Sequence, residues 1–140
     1  MSCCNNREVV TLEKAKVIGP YSLGVKAGHF VFCSGQLGID QDGNLAAGGV
    51  EAETRAALTN LSNILQAAGS SLKRVVKTTV FLRDINDFAR MNAVYAEFFP
   101  EEPPARSAFQ VAALPRGAAV EIEAIALLTP EEDADGCCSG

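Results

Sequence analysis

Hydrophobic residues change their spacing several times along the chain, and each change marks an element. His29-Phe-Val-Phe-Cys-Ser34 is a run of β-formers bounded by Gly28 and Gly35, which predicts a strand. Gly43-Asn44 and Gly48-Gly49 mark turns. From about Val50 the period becomes helical: Ala57, Leu61, Ile64, Leu65 and Ala68 recur on one face, and Gly69 stands where a left-handed cap closes a helix. Val75 to Arg83 predicts a strand with Val76, Thr78, Val80 and Leu82 on one face and Val75, Lys77, Thr79 and Phe81 on the other. Asp84 is suited to cap a second helix whose apolar stripe is Phe88, Met91, Tyr95 and Phe98. Pro100, Pro103 and Pro104 end it. Segments 105–112 and 119–128 alternate as strands around the turn Leu114-Pro-Arg-Gly117.

The order is strands, helix, strand, helix, two strands, which predicts a two-layer α+β domain. Right-handed crossovers advancing in one direction place both helices on the same face of the sheet. Residues 1–129 form one unit with no linker or internal repeat. Residues 1–7 read as a loose arm. Residues 130–140 are acidic, small and free of core formers, which predicts a disordered tail.

The last strand breaks the simple pattern. Val120, Ile122, Ala124, Ala126 and Leu128 suit the face under the helices, yet the opposite face carries Ile125 and Leu127 beside Glu121 and Glu123. Together with Phe81, that makes an apolar patch on a sheet face with no second domain to cover it, so self-association is the economical expectation. Carboxylates drawn into such an interface need a partner, and Arg106 is the nearest candidate in the last part of the chain. It shares its face with Ala108 and Gln110, while Ser107, Phe109 and Val111 point the other way. Two readings of Arg106 stand at this point: a structural ion pair, or a planar fork for a carboxylate ligand beside an acid that holds water. Likewise Glu121 and Glu123 read either as site residues or as a solvated face, and Asn92 as a satisfied polar residue on the second helix. Tyr21, after Gly19-Pro20, reads as a turn aromatic, and His29, the single histidine, as structural.

Composition narrows the classes. Hydrophobic residues at 48% and charged residues at 21% are those of an ordinary globular chain of 140 residues. No apolar run approaches the roughly 20 residues that span a bilayer. The N-terminus has no apolar stretch of secretory type, so the expected location is the cytosol or an equivalent reducing compartment. Five cysteines agree: Cys3-Cys4 and Cys137-Cys138 lie at the ends and Cys33 inside a strand, with neither a disulfide framework nor zinc-ligand spacing. A net charge of −5 without a Lys/Arg stripe argues against nucleic acid as a partner. Phosphate-loop, dinucleotide, zinc-protease and nucleophile-elbow motifs are all missing from the sequence, and the expectation is no metal and no cofactor.

Five segments then occur in order: Ile18-Gly-Pro-Tyr-Ser22, Ser34-Gly-Gln36, Val76-Lys-Thr-Thr-Val80 with Asp84-Ile-Asn-Asp-Phe88, Pro104-Ala-Arg-Ser107, and Glu121-Ile-Glu-Ala-Ile125. In this register the chain resembles the Rid/YjgF family of reactive intermediate deaminases from about residue 8 to residue 128. The resemblance implies a chorismate-mutase-like two-layer sandwich with a mixed sheet, a homotrimer with clefts between subunits, and the activity of a 2-iminobutanoate/2-iminopropanoate deaminase. Imines of the 2-aminoacrylate type, released by pyridoxal-phosphate dehydratases, are the implied substrates, in a role of metabolite damage control. Position by position, Arg106 matches the carboxylate clamp and Glu121 the holder of the attacking water. Tyr21, Ser34, Gly35 and Asn92 match pocket residues, and Ala108 stands where the family often has cysteine. Two rival functions accompany this: an RNA-cleaving translation inhibitor, and a non-catalytic ligand-binding or chaperone-like trimer.

Overall fold

The computed structural model describes residues 6–15 and 17–130. The terminal cysteine pairs and segment 131–140 of the expected tail lie outside the described residues. Eight principal elements follow in order: β1 Arg7–Val10, β2 Gly24–Ala27, β3 Phe30–Leu37, α1 Gly49–Ala67, β4 Val75–Leu82, α2 Phe88–Phe98, β5 Ala105–Gln110 and β6 Val120–Leu127. The six strands make one mixed sheet in the order β1-β2-β3-β6-β4-β5. Only β4 and β5 pair in parallel; the other neighbours are antiparallel. Strands β3 and β4 are both antiparallel to β6, so α1 crosses between two parallel strands that the last strand later separates.

The architecture is the α+β sandwich the periodicity predicts. Along α1, Val50, Ala57, Leu58, Leu61, Ile64 and Leu65 are buried against the sheet and α2. Fully burying a side chain such as Leu58 or Ile64 contributes about 1.5–3 kcal/mol each. Gly69, at φ 85°, closes α1 as expected, with the Ser70 N–H reaching back 2.8 Å to the Leu65 carbonyl. Asp84 does act as a cap, though of a short 3₁₀ turn, Ile85–Asp87, that precedes α2; its carboxylate accepts from the Asn86 N–H at 2.9 Å. No helix among the described residues is long and apolar enough to cross a membrane.

Three features differ from expectation. The first is the arm expected over 1–7, which already enters the sheet at Arg7: β1, β2 and β3 form a meander with Val9 opposite Val25 and Val25 opposite Phe32. Strands of four residues carry too little alternation to be read locally; pairing with neighbours makes them.

The second concerns the start of β4. Val75 is buried at 7% exposure and Val76 is exposed at 38%, the reverse of simple alternation. A register shift between Val75 and Lys77 against β6 is responsible, because an extra residue flips the parity of everything before it. From Thr78 onward the expected faces hold, with Thr78, Val80 and Leu82 buried. The third is the face of Arg106, taken up with the site.

On β6, Val120, Ile122, Ala124 and Ala126 are buried beneath the helices. The other face of the sheet is open. Across it runs a row of paired positions, Val9, Val25, Phe32 and Ile125, and beside it Phe30 faces Leu127. Phe32 remains 45% exposed.

Candidate functional site

Arg106 sits on β5, the edge strand that follows the Pro103-Pro104 approach. Its register neighbour is Thr78, and that of Ala108 is Val80. Because Thr78 and Val80 are buried on the helix side, Arg106 and Ala108 share that side. The guanidinium meets three residues of α2. Its Nη1 donates to Asn92 Oδ1 at 2.7 Å, and its central carbon lies 4.8 Å from the Tyr95 ring centroid and 5.3 Å from that of Phe88. Phe88, Asn92 and Tyr95 are spaced i, i+4, i+7, so one stripe of α2 supplies all three contacts. The Tyr95 hydroxyl shares a 2.7 Å hydrogen bond with Thr78 Oγ1. Burial pushes the Tyr95 phenol upward, opposed by the Thr78 hydrogen bond and the Arg106 charge.

All of Arg106's contacts are electrically neutral. The ion pairs among the described residues join Lys26 to Glu8, Arg55 to Glu97 and Arg90 to Asp87. Among the described residues no carboxylate is paired with Arg106.

Glu121 belongs to a second cluster. It stands on the open face of β6, between Leu37 of β3 and Phe81 of β4. The register of β3 shifts between Cys33 and Gln36, which makes Ser34-Gly35 a bulge beside the carboxylate. Gly35 leaves room for it: a Cβ at that position would stand 2.9 Å from Glu121 Cδ and displace the carboxylate. Ser34 ties the bulge to the preceding loop through Oγ to the Ser22 carbonyl at 2.6 Å and its N–H to the Leu23 carbonyl at 2.9 Å. Tyr21 projects from that loop, 51% exposed. It borders a depression of about 290 Å³ with Val10, Leu12, Val17 and Ser22. Burial raises the Glu121 pKa above its ordinary value, and the charge of Glu123 raises it further. Among the described residues no donor is hydrogen-bonded to this carboxylate.

The seven residues singled out from sequence thus fall into two groups. Arg106, Asn92 and Ala108 lie together on the helix side of the edge strand; Ser34, Gly35 and Glu121 lie together on or beside the open face, with Tyr21 on the loop whose Ser22 carbonyl holds Ser34. The expectation that Arg106 neighbours Glu121 is corrected within one chain. Strand β4 separates them, and the register sets Arg106 opposite Thr78 but Glu121 opposite Phe81, whose ring packs on Phe109 on the open face at 5.6 Å. Adjacent positions on β4 point oppositely, and Thr78 and Phe81 differ by an odd number, so the two charged groups face apart.

Cys33 is buried, its thiol pushed up to about 12 by desolvation, and His29 occupies the β2–β3 turn, where its carbonyl accepts from Leu128 N–H at 2.8 Å. Phe88, Tyr95 and Thr78 were missed as site neighbours, although the spacing of Phe88, Asn92 and Tyr95 on one helical stripe was there to be read. Among the described residues no three His, Cys, Asp or Glu side chains converge as a metal-binding group would.

The sequence profile of the family described as Endoribonuclease L-PSP matches residues 11–128, a span that contains every residue of both clusters. The chain belongs to the Rid/YjgF family. Among its relatives, the 2-iminobutanoate/2-iminopropanoate deaminase of Mus musculus is 51% identical over 126 residues, covering 89% of this chain and 93% of the mouse protein. A RutC family protein of Pyrococcus horikoshii is 52% identical over 122 residues, covering 86% and 97%. Among solved structures, E. coli TdcF with bound serine superposes with a TM-score of 0.82 at 41% identity, over 87% of this chain and 99% of that one. For a Rid/YjgF member, a β3 bulge against an acid and an edge-strand arginine against α2 are therefore the features to explain.

Proposed function

We propose that the chain hydrolyses 2-imino and enamino acids of the 2-aminoacrylate type to 2-oxo acids and ammonia, as a cytosolic homotrimer whose pockets form between copies. One observation carries this reading: the Arg106 guanidinium is held only by neutral groups, so its charge is available to a ligand carboxylate. The deaminase names of relatives near 50% identity support the reaction class. No cofactor is invoked.

The chemistry asks for little. Arg106 receives the α-carboxylate and orients the C=N carbon. Asn92 steadies the guanidinium and Ala108 lines the floor beside it. Tyr21, Ser34 and Gly35 form the opposite wall. Glu121 holds a water over C2 and takes its proton as the water oxygen bonds to carbon. That proton passes to nitrogen to give the carbinolamine. The carboxylate then takes the proton of the new hydroxyl and delivers it to nitrogen, C=O forms as the C–N bond breaks, and ammonia and the 2-oxo acid leave. Acid/base assistance of this kind contributes about 10²–10⁴-fold. The upward-shifted Glu121 carboxylate is better matched to the transfer than an ordinary one. Pyridoxal-phosphate dehydratases, which release such imines, are the implied suppliers.

Arg106 and Glu121 face opposite sides of one sheet, so a pocket holding both draws Arg106 from one copy and Glu121 from the next. The apolar row from Val9 to Ile125 supports self-association, since a solvated sheet face rarely carries so much apolar surface.

Co-expressed Arg106→Ala and Glu121→Ala chains test both points. Each variant alone is expected to be folded and inactive. Mixed trimers regenerate intact pockets and recover roughly a quarter of wild-type turnover, as random mixing in a head-to-tail ring dictates. Full activity of Arg106→Ala would sink the anchor, and inactivity of verified mixed trimers would sink the two-copy pocket.

A second reading, RNA cleavage, draws on the family description alone. It requires tight RNA binding with a steep salt dependence, which filter titration measures; the acidic charge opposes it.

A further inference from the structure

Arg106 is oriented by two aromatic rings and one amide oxygen, without an opposite charge among the described residues. We infer that Tyr95 and Phe88 are positioning residues that act through Arg106, holding its guanidinium flat so that an in-plane edge meets the substrate carboxylate. The inference rests on the anchor role proposed for Arg106 and adds residues to which that role assigns nothing.

The geometry supports it at three levels. The guanidinium carbon stands over both rings, at 4.8 and 5.3 Å. A cation at this range is attracted to the ring face, and a planar guanidinium gains more from the contact than an ammonium does. Next, the Tyr95 ring is itself fixed. It is buried, its hydroxyl is bonded to Thr78 on β4, and it packs on Phe99 with centroids 4.7 Å apart. Thr78 is the register partner of Arg106 itself, so strand pairing and the Tyr95 hydroxyl refer the ring and the arginine to the same backbone position. Finally, Asn92 takes one Nη1 hydrogen, which stops the fork from rotating about the ring normal. Contact with the ring faces consumes none of the N–H donors. The remaining donors lie in one plane, a geometry that suits a flat carboxylate conjugated to a C=N or C=O group.

An ion pair in place of the rings would orient the arginine equally well but would cancel the charge that the ligand needs. Aromatic orientation avoids that conflict. It also predicts that Arg106→Lys does not restore the anchor, since an ammonium has no plane to lay against a ring and no fork to present.

The test compares Tyr95→Leu, Phe88→Leu, Tyr95→Phe and Phe88→Tyr with wild type and Arg106→Ala in the full-length protein. Two readouts are used: steady-state turnover of a dehydratase-generated imine, and equilibrium binding of 2-oxobutanoate and of its uncharged amide. Both leucine variants are expected to raise KM and weaken 2-oxobutanoate binding roughly threefold to tenfold, with kcat held within about twofold. Binding of the amide is expected to be unchanged, Phe88→Tyr to resemble wild type, and Tyr95→Phe, which keeps the ring face but loses its bond to Thr78, to fall between wild type and Tyr95→Leu. A merely structural role predicts instead a shared fall in kcat, or equal loss of both ligands. If Tyr95→Leu does not fold, Phe88→Leu, at a half-buried position, decides alone. Wild-type KM and binding in a folded Phe88→Leu, with Arg106→Ala defective, overturns the inference and leaves the anchor standing. Wild-type binding in Arg106→Ala overturns the anchor itself and the inference with it.

Discussion

Glu121 packs against the backbone of Gly35, so close that a Cβ there would stand 2.9 Å from its Cδ and 3.1 Å from its Cγ. Gly35 is not among the residues with positive φ, so its backbone accepts alanine without strain. The clash falls instead on the mobile end of a side chain. Gly35→Ala is therefore expected to fold with a Tm within a few degrees of wild type while pushing the carboxylate aside. Misplacing a reacting group by about 1 Å costs on the order of 100-fold, so imine turnover should fall by at least tenfold. Thermal melting and turnover, measured on the same preparation, check both halves. A well-folded variant with wild-type turnover would show that this contact does not set the catalytic geometry.

Glu53, buried near the start of α1, stabilises the start of the same strand from a distance. Its Oε1 accepts the Ala119 N–H at 2.8 Å, two residues before Glu121. The approach is close because residue 38 is glycine: a Cβ on Gly38 would lie 2.6 Å from the Glu53 Cα. Glu53→Ala leaves a buried N–H without a partner and is expected to destabilise the protein by about 1–3 kcal/mol. Glu53→Gln keeps an oxygen acceptor and should lose much less. Urea denaturation of the two variants separates these outcomes; equal losses would assign the effect to packing rather than to the hydrogen bond.

How far the chain announces itself differs from segment to segment. Long periodic elements were legible because local spacing and burial agree: α1 ends at Gly69 as its spacing requires, and Thr78, Val80 and Leu82 occupy the face expected of them. Strands β1 and β2 were not legible, since four residues held by long-range pairing leave almost no local signal. Bulges were invisible for a related reason. The extra residue at Val76 and the pair Ser34-Gly35 shift parity only once a partner strand defines a register. That same parity hid the separation of Arg106 from Glu121. Alternation tells which residues of one strand share a face, but relating two strands takes the register of β4, which lies between them and which no spacing within β5 or β6 encodes. The aromatic contacts of Arg106 were half legible: Phe88 and Tyr95 were recognised as an apolar stripe, and the stripe's polar neighbour Asn92 was the clue that its edge reaches a charged group.

Glu121 also makes the pH dependence testable. Burial is the main cause of its raised pKa and the charge of Glu123 the lesser one. A base must be ionised to accept a proton, so turnover should fall as pH drops through the raised value, at higher pH than an ordinary glutamate would dictate. Replacing Glu123 with glutamine removes the like charge but not the burial. The acid limb of Glu123→Gln is therefore expected to move to lower pH while stopping short of ordinary glutamate behaviour. Stability follows the same shift with a definite sign. A carboxylate whose folded pKa is raised holds its proton more tightly folded than unfolded, so its contribution is full below the unfolded value and is lost as pH rises through the folded one. Glu121→Gln escapes that loss: relative to wild type it should gain stability near neutral pH, with the gain vanishing in acid. Turnover and denaturation profiles over the same pH range check the pair of expectations. An acid limb unmoved by Glu123→Gln, or a Glu121→Gln protein less stable than wild type at neutral pH and not in acid, would place the perturbed group elsewhere.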